Sequence, residues 1–225
     1  MQDKGGFFMF HPIEYNTWDR REIYEAFDGY TYCLTVEVEV THFLKVLKEN
    51  QRKFYPSICY CIAKTVNENQ IYRYAKIDNV IGYWDQVQAH YTLLRKNSNH
   101  LFTHQRTLYS DDFSTFYQQF ITDKEAAENG DSLYFDKSGA RDNVHISIMP
   151  NTSQSGLSYS KPTSFTKYGT PNTSFVPFVM IGKYHAVGDR MKMPVTVEFH
   201  HAINDGYHAE QFFLKFEECL NRFVG

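Results

Sequence analysis

One stretch near the C-terminus, residues 199–208, constrains what this chain can fold into more than any other. It reads Phe-His-His-Ala-Ile-Asn-Asp-Gly-Tyr-His. The residues before it, 194–199, are rich in β-branched side chains and alternate, which predicts a strand. The apolar residues after it recur at helical spacing, which predicts an amphipathic helix: Ala209, Phe212, Phe213, Phe216, Leu220 and Phe223. A strand that passes directly into a helix fixes the geometry of side chains at the junction.

The junction holds a histidine, His201, four residues before Asp205. A neutral imidazole, whose unperturbed pKa is about 6.5, can accept a proton from a hydroxyl near neutral pH. Asp205 can cap the following helix, where a carboxylate suits the helix dipole. Taken alone, Asp205 is equally well explained as a simple N-cap, and an ordinary histidine is the favoured interpretation of His201.

The clustered histidines also suit a zinc site, with His200, His201 and His208 as ligands. Against this, His200 and His201 point to opposite faces of a strand. No carboxylate or cysteine pattern completes a ligand set. We therefore expect no metal.

The charge pattern argues against nucleic acid or a membrane as a partner. The formal net charge is -3 and the pI is near 6.4, so no basic surface is indicated. We find no apolar run long enough to span a bilayer and no signal-peptide pattern. The cysteines lie within predicted elements, without metal or disulfide spacing: Cys33, Cys59, Cys61 and Cys219. They are most simply free thiols in a reducing cytoplasm, so we expect a cytoplasmic protein.

Strand and helix patterns are interspersed without a strict β-α-β rhythm. The 225 residues suit a single domain spanning 1–225. Helices are predicted over 18–27, 41–48, 56–67 and 111–127 and after residue 205, with Thr41 as a cap. Strands are predicted over 30–40, 71–76, 80–84, 90–95, 144–149, 175–183 and 191–200. The pattern favours an α/β fold, a two-layer sandwich with a mixed β-sheet.

Five further motifs accompany the histidine stretch. They are Trp-Asp-Arg-Arg-Glu at 18–22, Lys-Phe-Tyr-Pro at 53–56, Tyr-Trp-Asp at 83–85, Ile-Ser-Ile-Met-Pro at 146–150, and Gly-Asp-Arg at 188–190 before Pro194. Together with His-His-Ala-x-x-Asp-Gly-x-His at 200–208, they resemble the chloramphenicol acetyltransferases. The resemblance covers nearly the whole chain after about residue 14 and implies that family's fold. The looser His-x-x-x-Asp-Gly also occurs in dihydrolipoyl acyltransferases, which share the fold.

The resemblance implies a reaction. In that family, the histidine at the position of His201 deprotonates the antibiotic's hydroxyl, which attacks the thioester of acetyl-CoA directly. The serine at the position of Ser147 donates a hydrogen bond to the oxyanion. The pair at Asp205 and Arg20 forms a buried salt bridge that braces the site. By resemblance, the chain is a coenzyme A-dependent O-acetyltransferase with acetyl-CoA as cosubstrate. Taken alone, Ser147 is more simply a strand serine, and Arg20 a solvated helix residue.

The resemblance also implies a homotrimer, in which His201 of one subunit faces a small-molecule acceptor pocket on its neighbour. Phe27, Leu157 and Tyr159 fall at pocket-lining positions, although they are equally well explained as core residues. Lys53 and Tyr184 are candidate coenzyme contacts, Lys53 to phosphate and Tyr184 by stacking on adenine.

The chain departs from the family pattern around the acceptor. The family's cysteine before Asp-Gly is Asn204 here, its tryptophan after Ile-Ser-x-x-Pro is Asn151, and a threonine that helps to hold the intermediate is Met180. The segment between Phe27 and Tyr32 is about three residues shorter than in typical members. Two alternatives to acetylation of chloramphenicol therefore stay open. One is a related acetyltransferase with another hydroxylated acceptor, and the other is a catalytically silent trimeric binding protein.

Overall fold

The computed structural model describes residues 9–158 and 173–225. Within them the helices are α1 (Arg21–Phe27), α2 (Thr41–Glu49), α3 (Phe54–Asn67), α4 (Phe113–Glu128) and α5 (Gly206–Asn221). The strands are β1 (Phe10–Pro12), β2 (Thr31–Glu39), β3 (Tyr74–Ile77), β4 (Val80–Trp84), β5 (Gln88–Leu94), β6 (Phe102–Thr107), β7 (Asn143–Ile148), β8 (Thr173–Ser174), β9 (Phe178–Ile181), β10 (His185–Val187) and β11 (Arg190–His200).

The larger sheet has the strand order β10-β11-β9-β7-β5-β6, and β2 also pairs with β11. Strand β7 runs parallel to both β5 and β9, whereas the other pairs are antiparallel. This arrangement confirms the predicted α/β fold with a mixed sheet. The register places Ser147 beside Met180, and Met180 beside Thr196.

One face of this sheet packs against the helices. Its inward residues include Val38, Tyr91, Ile146, Val179 and Val197, all buried in one cluster with apolar side chains of α2 to α5. Each such residue contributes about 1.5–3 kcal/mol on burial. Because side chains alternate along a strand, Ser147 and the other residues of opposite parity lie on the second face, away from this core.

A smaller sheet, with the order β1-β4-β3-β8, supports a second apolar cluster. Its hairpin β3–β4 turns at Asp78 and Asn79, whose φ values of 49° and 67° fit a two-residue turn. The cluster contains Ala202 and Ile203 from the segment after β11, together with Tyr24, Tyr74, Ile81 and Phe175. The small sheet therefore anchors the turn that carries the histidines.

Three local predictions were wrong. Strand β6 was not predicted, because its buried positions carry the polar residues Thr103, Gln105 and Thr107 rather than apolar ones. Residues Gln70–Arg73 form a 3-10 turn instead of the start of a strand. Thr41 does not cap α2, because it is the first helical residue and Val40 occupies the N-cap position; the Thr41 hydroxyl instead accepts a hydrogen bond from the backbone N–H of Met191 at 2.9 Å.

Candidate active site

The predicted strand-to-helix junction is present, with β11 ending at His200 and α5 beginning at Gly206. Ala202 and Ile203 between them are fully buried. The backbone N–H of His201 donates to the carbonyl of Tyr30 at 2.8 Å, which joins the junction to the turn before β2. The position of His201 is thus fixed on both sides by buried structure.

Two aromatic rings hold the imidazole of His201. Phe27 stacks on it with the ring centroids 4.3 Å apart, and Tyr32 meets it edge-on at 5.5 Å. Within the described residues, Nδ1 of His201 is buried without a hydrogen-bond partner. Burial and the nearby Asp205 raise the pKa of Tyr32 to about 12, so its hydroxyl stays protonated and donates to the Asn204 carbonyl at 3.2 Å.

Arg20 and Asp205 lie together, although they are far apart in sequence. Both terminal nitrogens of Arg20 reach Oδ2 of Asp205, at 3.3 and 3.4 Å. The predicted burial of this salt bridge was only partly right, since the Arg20 side chain is 13% exposed but the Asp205 side chain is 33% exposed. The neighbouring Arg21 points elsewhere and pairs with Glu25 at 2.8 Å on the surface.

A further histidine, His208, contacts the same carboxylate and was not singled out for this role by the sequence. Its Nδ1 lies 2.8 Å from Oδ1 of Asp205, whereas the backbone N–H of Asp205 lies 3.3 Å from the same Nδ1. One nitrogen cannot both donate and accept through a single lone pair. The shorter contact to a carboxylate is the stronger bond, so Nδ1–H of His208 donates to Asp205.

Asp205 therefore combines two tasks. It caps α5 by accepting from the backbone N–H groups of Tyr207 and His208, and it binds the Arg20 guanidinium and the His208 imidazole. Partial burial alone would raise the pKa of this carboxyl. The electrostatic interaction and hydrogen bonds with His208, and the charge of Arg20, have the opposite effect. Together they outweigh burial and hold the pKa of the Asp205 carboxyl below its usual value.

Asn204, the residue that replaces the family's cysteine, is fully buried. Its backbone N–H closes the turn on the carbonyl of His200 at 2.8 Å. Its side-chain Nδ2 donates to the carbonyl of Ile71 at 3.3 Å. The Asn204 side chain thus links the turn to the segment before β3 by a hydrogen bond.

Ser147 lies elsewhere in the same chain. Ser147 of β7 pairs with Met180 of β9, and Met180 pairs with Thr196 of β11. His201 comes five residues after Thr196. Two interstrand spacings of about 4.8 Å and five residues of about 3.3 Å place the two Cα atoms roughly 19 Å apart. A single chain does not bring the predicted base and the predicted oxyanion donor together.

Comparison with known proteins adds a second line of support to this geometry. The family model described as chloramphenicol acetyltransferase matches residues 8–217. The chain belongs to the chloramphenicol acetyltransferase family. It is 30% identical to a chloramphenicol acetyltransferase from Staphylococcus intermedius over 95% of this chain and 97% of the relative. It is 32% identical to one from Proteus mirabilis over 88% of both chains. The protein is accordingly an acyltransferase.

Solved structures agree on the fold. A chloramphenicol acetyltransferase superposes with a TM-score of 0.83 at 22% identity, covering 94% of this chain and 100% of the other. A dihydrolipoamide acetyltransferase from Azotobacter vinelandii superposes with a TM-score of 0.66 at 10% identity, covering 87% and 83%. The fold expected from the family's motifs is confirmed.

The predicted pocket residues are placed differently. Phe27 is 38% exposed and lies against His201. Leu157 is partly buried in an irregular segment. Tyr159 lies outside the described residues. Phe27 is thus in contact with the predicted base.

The two candidate coenzyme contacts lie near one another. Lys53 is exposed, immediately before α3, and its backbone N–H donates to the hydroxyl of Tyr117 at 3.0 Å. Tyr184 is 40% exposed, and its ring packs against Phe54 with the centroids 5.7 Å apart. A cationic and an aromatic side chain, both open to solvent, thus flank Phe54.

The described residues contain no group of three or more His, Cys, Asp or Glu side chains arranged to hold a metal ion. In the same part of the chain, no helix has the length and apolar character needed to cross a bilayer. The four cysteines are unpaired, and Cys59 and Cys61 are buried with thiol pKa values raised by burial.

Proposed function

We propose that this protein transfers the acetyl group of acetyl-CoA to a hydroxyl of chloramphenicol, with His201 as the general base. The observation that carries the proposal is the placement of His201 on a buried, strand-to-helix junction whose carboxylate is fixed by Arg20 and His208. The relatives named above share this family and most of this chain's length.

The proposed reaction is a direct displacement. His201 takes the proton of the acceptor hydroxyl as its oxygen attacks the thioester carbonyl. The carbonyl oxygen gains a negative charge, and the Ser147 hydroxyl donates a hydrogen bond to it. The tetrahedral intermediate then collapses, the carbon–sulfur bond breaks, and the coenzyme A thiolate receives the proton from His201. The products are the acetyl ester and free coenzyme A.

The fold supports the proposal that the active site needs more than one copy of this chain, as in a homotrimer. His201 and Ser147 lie roughly 19 Å apart within one chain, too far for both to reach one carbonyl group. A second copy must then supply one of the two. A closed cyclic trimer, in which each His201 faces the Ser147 of its neighbour, satisfies this requirement with identical interfaces.

Lys53 and Tyr184 are the side chains that we propose to contact the coenzyme. A lysine ammonium suits the coenzyme's phosphate groups, and an exposed tyrosine ring suits its adenine. Because both flank Phe54, they can act on one ligand. Phe27, Leu157 and Tyr159 remain the proposed lining of the acceptor pocket.

The test is a thiol-release assay with acetyl-CoA and chloramphenicol, comparing the wild type with His201→Ala. We expect acceptor-dependent release of coenzyme A, reduced on the order of 10²–10⁴-fold in the variant. A wild-type rate equal to that of His201→Ala would refute chloramphenicol as the acceptor. Binding of acetyl-CoA with no transfer to any alcohol would instead favour a silent binding protein.

A second candidate is the same reaction on a different hydroxylated acceptor. Met180 beside Ser147 favours it, because the hydroxyl that the family carries at this position is missing here. Release of coenzyme A with another alcohol, and none with chloramphenicol, would establish it.

A further inference from the structure

The turn between α1 and β2, which we call the 27–30 turn, holds His201 at two points. The ring of Phe27 stacks on the imidazole with the centroids 4.3 Å apart and the two planes 16° apart. The carbonyl of Tyr30 accepts a hydrogen bond from the backbone N–H of His201 at 2.8 Å. Because one contact is to the side chain and the other to the backbone, a movement of this turn would change the orientation of the proposed base.

The backbone of the 27–30 turn has a defined shape. The N–H of Tyr30 donates to the carbonyl of Phe27 at 3.1 Å, which closes a β-turn. Asp28 has φ -60° and ψ 129°, and Gly29 has φ 86°, which are the angles of a type II turn. The positive φ at the third position is one that glycine adopts without strain. These angles fix the direction in which the Asp28 side chain leaves the turn.

A buried lysine of the smaller sheet binds that side chain. Nζ of Lys76 in β3 lies 3.8 Å from Oδ2 of Asp28. Within the part of the chain that the structure describes, no other lysine or arginine is buried. An ammonium group removed from water is costly unless a negative charge compensates it. The Asp28 carboxylate supplies that charge, so the two side chains hold each other in place.

Two further groups meet the same carboxylate. Nε2 of His200 lies 4.0 Å from Oδ1 of Asp28. Burial, followed by the charge of Asp28 and a hydrogen bond to it, raises the pKa of Tyr24, so its hydroxyl stays protonated and donates. Tyr24 belongs to α1, Lys76 to β3 and His200 to β11. Asp28 therefore joins three elements at one point, next to the Phe27 ring.

We propose that Lys76 is a positioning residue for the reaction: its ion pair with Asp28 holds the 27–30 turn, and this turn holds the imidazole of His201 in the orientation needed to take a proton. The inference rests on the proposed function, because it takes His201 as the base. Lys76 acts through Asp28 and Phe27, so it is not itself a catalytic residue. Asp28 and Lys76 lie outside the motifs that carried the family resemblance.

The kinetic test compares wild type with Lys76→Met, which keeps a long side chain and removes its charge. We expect kcat for chloramphenicol to fall about 10- to 100-fold, because a small displacement of a catalytic group slows the reaction strongly. KM for acetyl-CoA should stay unchanged, and Lys76→Arg should recover most of the lost kcat. The matched control Lys64→Met breaks a 2.8 Å ion pair with Glu68 on α3 and should keep the wild-type kcat.

A double variant tests whether Lys76 acts through Asp28. If it does, Asp28→Asn combined with Lys76→Met should have a kcat no lower than that of Lys76→Met alone. A double variant in which the two single reductions multiply would overturn the proposal, because the two residues would then act independently. An unchanged kcat in Lys76→Met, or an equal fall in Lys64→Met, would overturn it as well.

A second measurement does not depend on turnover. The stacked ring of Phe27 shields the imidazole protons of His201, so proton NMR with labelled histidine reports this contact. The His201 signals are those missing from His201→Gln, and Phe27→Leu gives their position without the stacked ring. We expect Lys76→Met and Asp28→Asn to move the signals towards that position, and Lys76→Arg to leave them at the wild-type position.

Signals of Lys76→Met that stay at the wild-type position would overturn the proposal, whatever the activity of the variant. A wild type that acetylates no alcohol would refute the proposed function. In that case, signals that move in Lys76→Met and Asp28→Asn would still support the positioning of His201 by Lys76.

Discussion

Two regions of this molecule use histidine in opposite ways. At the N-terminus of α5, which we call the ionic end, Arg20 and His208 converge on the Asp205 carboxylate. In a cavity between the sheets, which we call the neutral end, the Nδ1 atoms of His90 and His145 lie 2.8 Å apart. At the ionic end the Asp205 side chain is 33% exposed, whereas at the neutral end His90 is 8% exposed.

The difference follows from solvation. Water near Asp205 lowers the cost of keeping charges, so ion pairs can fix the geometry there. Inside the cavity, desolvation disfavours the charged imidazole, and the rings are held by stacking and one shared proton. The ionic end therefore keeps its charges, and the neutral end holds His90 uncharged.

The largest expected effect is at Ser147, on the same strand as His145. Ser147→Ala removes the proposed oxyanion donor, and loss of one such donor lowers kcat by about 10²–10³-fold. Steady-state kinetics with acetyl-CoA and chloramphenicol would measure it. The unfolding temperature should change little, because Ser147 is a partly exposed strand residue. A fall in kcat below threefold would remove Ser147 from the mechanism.

The ionic end should show a smaller effect that is seen mainly in stability. Arg20→Leu leaves Asp205 without its guanidinium partner, in a site intermediate between buried and exposed. We expect a loss of about 1–3 kcal/mol in the free energy of unfolding. The matched control Arg21→Leu breaks a surface pair and should cost under about 0.5 kcal/mol. Equal losses by urea titration would contradict the bracing role.

The last effect appears only when the pH is changed. Because the folded-state pKa of His90, about 3, lies below that of an unfolded histidine, about 6.5, the unfolded state binds more protons between these values. As the pH falls from about 6.5 towards about 3, His90 should therefore progressively lower the free energy of unfolding. Above about pH 6.5 it should have no effect on that free energy.

Urea titrations at pH 7 and pH 4.5 would measure this linkage. We expect the wild type to lose about 2.5 kcal/mol more than His90→Gln over that interval. An equal loss of unfolding free energy in the wild type and in His90→Gln would mean that His90 is not held neutral in the folded state.

The sequence predicted the ionic end better than the neutral end. His201, Asp205 and the supporting strand and helix are close together in sequence, so their periodicities reveal the junction directly. Arg20 was reached only through the family resemblance, and the contact of His208 with Asp205 was missed. The rotation of α5 that brings His208 onto Asp205 depends on the cap geometry, which the sequence does not fix.

The neutral end depends on strand register. His90 and His145 are on strands separated by α4 and a long loop, and β5 pairs with β7 in parallel. Nothing local in either segment specifies that these two residues are opposite. Strand β6, which supplies the His104 ring stacked on His90, was not predicted at all, since its buried residues are polar. The shared face of His145 and Ser147 was the only usable signal, because alternation along one strand can be read from sequence.

The central claim is that one reaction centre takes its base from one chain and its oxyanion donor from another. Co-assembling His201→Ala with Ser147→Ala subunits tests it directly. In a cyclic trimer with random assembly, about one half times one half, or about a quarter, of the sites combine an intact His201 with an intact Ser147. The account predicts about a quarter of wild-type activity from the mixture, while each variant alone stays inactive. A mixture as inactive as its components would contradict it.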